Sequence, residues 1–74
     1  MKKDKKNPIA KTVKSTRKGL GLSQEELAKR AGVGLKSVRS VEQGYLNINL
    51  STLVKILDLL SLELVLERKG GVIK

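Results

Sequence analysis

Lys36 and Arg39 stand three residues apart in the run LKSVRSVEQ, in which Val38 and Val41 repeat at the same spacing. On a helix, that spacing sets the two valines on one face. It leaves Leu35, Lys36, Ser37, Arg39 and Ser40 on the other side or at the exposed amino end. Such a face is rich in hydrogen-bond donors but has no companions for bond-making chemistry. The chain contains neither His nor Cys, so the usual base, nucleophile and metal-ligand sets are missing, and no phosphate-cradling glycine loop occurs. The chemistry it suits is recognition: Lys36 or Arg39 can donate to O6 and N7 of guanine, and Leu35 can touch a thymine methyl group. The bland alternative is a solvated helix surface.

Those side chains need a frame. Residues 24–43, QEELAKRAGVGLKSVRSVEQ, read as a short helix, a tight turn and a second helix. Ser23 is an N-cap, and Glu26 three residues on completes a capping box. Leu22 and Leu27 take the places of a hydrophobic staple around that start. Leu27, Ala28 and Ala31 share a face, and Gly32 follows where a left-handed residue ends a helix at little cost. Two helices crossing at roughly 90–120° after so short a turn leave little room, which suits Ala28 at the crossing and Val38 and Val41 between the helices. A plain helical hairpin without a ligand is the alternative reading.

The remaining elements are expected around this unit. Residues 1–7 form a basic flexible arm, and Asn7 with Pro8 marks a helix start. The helix runs to about Lys18 and turns Ile9, Ala10, Val13 and, past its end, Leu20 toward the core. Residues 45–48 form a loop, with Tyr45 at the core edge. Asn49 caps a helix over about residues 50–60 whose apolar stripe is wider than one core face requires. Its surplus predicts contact with a second subunit. In residues 62–69, Leu62, Leu64 and Leu66 alternate with Glu63, Val65 and Glu67, the pattern of a half-buried strand. A lone strand has an open edge, which two copies can close in an isologous pair. Leu62, Leu64, Val65 and Leu66 are therefore the expected dimerisation residues. Residues 70–74 are a tail.

The chain has 74 residues and a net charge of +9, enough for one small domain. Residues 1–18 hold eight basic residues and one acid, giving +7; residues 19–74 hold eight basic and six acidic residues, giving +2. A basic arm beside such a unit fits a polyanion partner, most simply a nucleic-acid backbone. The absence of Cys fits a reducing cytoplasm. No signal peptide, membrane span, metal site or cofactor site is expected.

The stretch LGLSQEELAKRAGVGLKSVRSVEQG closely resembles the lambda-repressor-like, or Xre, family of DNA-binding domains. From about Pro8 to Lys69 the chain is most similar to the HipB-like branch of antitoxins and repressors. The resemblance implies a mainly α fold: a four- to five-helix helix-turn-helix domain over residues 8–61, with a short C-terminal β-strand pairing across a homodimer. It implies binding of double-stranded DNA at a palindromic operator in the cytoplasm. Leu35, Lys36 and Ser40 match the family's main base-reading positions, with Ser37 and Arg39 nearby. Ser23, Gln24, Gly34 and Ser37 lie where phosphates are held at helix starts. Gly34 departs from the family's frequent Ser or Thr cap and brings no side-chain acceptor. Arg17 and Glu42 match positions that form a structural salt bridge in some members. Ser61 replaces a common glycine, so the fourth helix could continue through Leu64 instead of yielding to a strand.

Two functions follow from that resemblance, and an enzyme is rejected. One is a HipB-like antitoxin that represses its own operon and holds a HipA-like kinase toxin. The alternative is a solitary Xre-type or phage-type repressor with no toxin partner.

Overall fold

The computed structural model describes residues 8–45 and 47–65. Four helices appear: α1 (Pro8–Gly19), α2 (Gln24–Ala31), α3 (Leu35–Gln43) and α4 (Leu50–Leu59). The expected arm with its Asn7 cap, the end of the C-terminal segment including Leu66, and the tail all lie outside the described residues.

Each helix start reflects a local choice. Pro8 opens α1, where its missing N–H costs nothing. At α2 the Glu26 N–H donates to Ser23 Oγ at 3.0 Å and the Ser23 N–H to Glu26 Oε1 at 2.9 Å, completing the predicted capping box. Asn49 Oδ1 accepts from the Ser51 N–H and hydroxyl, each at 2.8 Å, at the start of α4. Gly34 caps α3 with no side-chain hydrogen bond.

All four helices end the same way. A left-handed residue lets the next N–H reach back to a carbonyl five residues earlier: Leu22 to Arg17, Val33 to Ala28, Tyr45 to Ser40 and Leu62 to Leu57. The left-handed residue is Gly21, Gly32 or Gly44 in three of them. In the fourth it is Ser61, with φ 59°. That corrects the idea of a helix continuing through Leu64: the turn at Ser61 brings Leu62 back against the core beside Leu57. Residues 62–65 then run as neither helix nor strand paired with any described residue.

The core is aliphatic throughout, and α3 lies at its centre, packed against α1, α2 and α4. Val38 and Val41 of α3 are buried with Val13 of α1, Leu27 and Ala28 of α2, and Leu53, Ile56, Leu57 and Leu60 from α4 and its end. Fully burying side chains of this size contributes about 1.5–3 kcal/mol each. Leu20 does not join them, being 58% exposed. The turn that closes α1 on Gly21 brings in half-buried Leu22 and leaves Leu20 outside.

The α4 stripe has the predicted surplus. Leu53, Ile56 and Leu57 face the core, while Leu50 is 64% exposed and Val54 also lies open. Past the turn, Leu64 and Val65 are exposed as well. Leu50, Val54, Leu62 and Leu64 line one shallow hollow beside Asp58 and Glu63.

Candidate nucleic-acid interface

The α2–turn–α3 unit places the predicted recognition residues largely as their spacing requires. With Val38 and Val41 buried, Lys36 and Arg39 are exposed, and Ser37 and Ser40 half-buried. The only ion pair among the described residues is Arg17 with Glu42, so neither Lys36 nor Arg39 is neutralised by a described acid. Leu35 is different: it packs partly against the core, so only part of its side chain faces outward.

Two sets of residues were missed by sequence reasoning. Gln43 is exposed and lies seven residues after Lys36 and three after Ser40, on the same helical face. Its place next to the closing glycine had marked it only as a helix end. Asn47, Asn49 and Thr52 line a polar hollow with Lys36, Ser37 and Ser40, between the amino half of α3 and the start of α4. The run of side-chain amides in NIN was the available signal, but Asn49 already had a sufficient role as a cap.

The start of α2 is an arrangement of donors. The capping box occupies the N–H groups of Ser23 and Glu26. The N–H groups of Gln24 and Glu25, first in the helix, have no acceptor within it. The capping bond from the Ser23 backbone N–H, helped by the nearby Ser23 hydroxyl, holds the Glu26 carboxyl below the usual carboxylate range. Gln24 Nε2 donates to Glu42 Oε1 at 3.1 Å, tying the first residue of α2 to the last turn of α3.

Glu42 is in turn held by Arg17. Arg17 Nε donates to Oε2 at 2.6 Å and Nη2 to Oε1 at 3.0 Å, a side-on bidentate pair. Arg17 Nη1 also donates to the Leu22 carbonyl at 2.7 Å. The Glu42 side chain is only 3% exposed. Burial pushes its carboxyl up, but hydrogen bonds from Arg17 and Gln24, with the charges of Arg17 and Lys14, together hold it below the ordinary value. Its hydrogen bonds to Glu42 raise the pKa of Arg17. The predicted salt bridge is thus present, and it joins α1 to α3.

The described residues contain no cluster of acidic side chains able to hold a metal, and no helix among them is long and apolar enough to cross a membrane. No curated protein matches the chain. A family model described as helix-turn-helix matches residues 13–66, from the middle of α1 through α4 and the turn beyond it. That span includes the capping box, the α2–α3 turn and the buried Arg17–Glu42 pair, and the chain is a DNA-binding transcriptional regulator belonging to the lambda-repressor-like, Xre-type helix-turn-helix family.

Proposed function

We propose that the protein is a sequence-specific repressor that binds a palindromic operator as a homodimer and acts as a HipB-like antitoxin, regulating its own operon and holding a HipA-like kinase toxin. The observation that carries the DNA-reading part is the exposed face of α3, where Lys36 and Arg39 have no described acid to neutralise them. Lys36, Arg39 and Ser40 read base edges in the major groove, with the outer part of Leu35 against a thymine methyl group. Ser23, Gln24, Gly34 and Ser37, at the starts of α2 and α3, hold phosphates that set the register.

The dimer is supported by the apolar surface that the monomer leaves open on α4 and residues 62–65. A two-fold pair presents two recognition helices to half-sites about 34 Å apart, one turn of DNA. Selection of bound duplexes from a random pool tests the repressor reading: recovery of a palindromic consensus supports it, and recovery of no consensus overturns it. Co-purification with the product of an adjacent kinase-like gene tests the antitoxin reading; a chain with no such neighbour and no such complex is a solitary repressor.

A further inference from the structure

The Arg17–Glu42 pair does more than join α1 to α3, because the same carboxylate oxygen that receives Arg17 Nη2 also receives Gln24 Nε2. A carboxylate can only accept, so the amide of Gln24 must turn its NH2 group toward Glu42 and its carbonyl away. One amide proton is thereby engaged. The second is left with no partner among the described residues, at the helix start where the N–H groups of Gln24 and Glu25 are also uncommitted.

We infer that Glu42 is a positioning residue for DNA binding: it fixes the Gln24 amide so that its second N–H, with the first N–H groups of α2, meets a phosphate oxygen. This rests on the reading that the start of α2 holds a phosphate. It also gives the ion pair a purpose that packing alone does not. An unpaired carboxylate beside a phosphate site would repel the ligand. Arg17 cancels that charge, so Glu42 can orient an anion-binding group without opposing the anion. Glu42 itself does not touch DNA.

The inference makes a prediction of unusual sign. Removing an acid from a basic DNA-binding protein should strengthen binding by charge alone. Glu42→Met should instead weaken it, because the amide of Gln24 is released. Phosphate contacts are indifferent to sequence, so a mixed-sequence duplex at low salt is a sufficient probe, read by fluorescence anisotropy at a temperature where melting curves show every variant folded. Gln24→Ala should weaken binding about fivefold, the loss of about one hydrogen bond. Glu42→Met should weaken it to a similar extent in the wild-type background, and should leave it unchanged or tighter in the Gln24→Ala background. Equal weakening in both backgrounds, or tightening in both, overturns the positioning role while leaving DNA binding intact. A wild-type protein that binds no duplex removes the phosphate reading and this inference with it. A readout without mutation stands beside the cycle. In the free protein one side-chain amide proton of Gln24 should resonate downfield and exchange slowly, and added duplex should shift mainly the other. Amide protons at the ordinary positions of a solvated glutamine, both exchanging rapidly with water and both unmoved by the duplex, overturn the inference even if Glu42→Met fails to fold.

Discussion

Arg17 and Glu42, twenty-five residues apart in sequence, meet side-on through two hydrogen bonds of 2.6 and 3.0 Å and lock α1 to α3. Both side chains are nearly closed to solvent. Removing one partner strands the other, which costs roughly 3–5 kcal/mol for a buried pair, whereas removing both leaves no unpaired charge. Arg17→Ala and Glu42→Ala should therefore each lower the melting temperature sharply. The double variant should lose less than the sum of the singles, and additive losses in a thermal-melt cycle would show that the pair does not couple.

The same pair sets an acid limit. The Glu42 carboxyl titrates below its ordinary value of 4.5 in the folded state. Between that ordinary value and the lower folded one, the unfolded chain binds a proton that the folded chain refuses, so falling pH favours unfolding. The stabilisation from Glu42 is complete above the ordinary value and is lost as pH falls through the folded one. Melting curves taken below about pH 4.5 should fall more steeply for wild type than for Glu42→Gln. Parallel curves would assign the acid limit to other groups.

Ser61 occupies the left-handed position that glycine fills at the ends of the other three helices. The Cβ makes that conformation cost about 1–2 kcal/mol, part of which a glycine returns as entropy of the unfolded chain. Ser61→Gly should stabilise by about 0.5–1 kcal/mol in a urea melt, after that offset. Gly32→Ala, at φ 72° with open space around the added methyl, should destabilise by about 1 kcal/mol through backbone strain alone. If Ser61→Gly is destabilising, the left-handed turn after α4 is wrong.

Most of this frame could be read from the residues. Ser23 with Glu26, Asn49, Gly32 and the valine pair are local signals, each acting within a few positions, and all appear where their spacing places them. Arg17 and Glu42 came from resemblance, since nothing local connects residues so far apart. Ser61 escaped because serine has no strong preference between continuing a helix and ending one; the turn depends on Leu62 finding the core. Leu20 was misplaced for a related reason: the apolar residue before Gly21 and the one after it look alike until the turn selects Leu22. Gln43 was within reach of the same periodicity, seven residues after Lys36, but its place beside the closing glycine hid it. The Asn47–Thr52 hollow depends on how the loop folds against α3, which no periodicity encodes.

The open apolar surface on α4 predicts how the dimer can be broken without harming the fold. Val54 is exposed, so Val54→Glu should change monomer stability by no more than about 0.5 kcal/mol. In the proposed dimer it places a charge in the interface. Sedimentation at micromolar concentration should show the wild type as a dimer and Val54→Glu as a folded monomer with weakened binding to a palindromic duplex. A wild-type monomer that binds such a duplex tightly and without cooperativity contradicts the dimer.

The central claim is that the exposed face of α3 reads base sequence. It is tested most directly by titrating wild type, Lys36→Ala and Arg39→Ala against a selected duplex and a scrambled one across a salt series. Both residues are exposed, so melting temperatures should not change. Wild type should prefer the selected duplex, and its affinity for both should fall with salt, by about 0.9 in log–log slope for each phosphate neutralised. Each substitution should cost about 1–3 kcal/mol on the selected duplex, where its side chain makes a bidentate guanine contact, and much less on the scrambled one. Equal losses on both duplexes, or wild-type binding that ignores sequence, would contradict it.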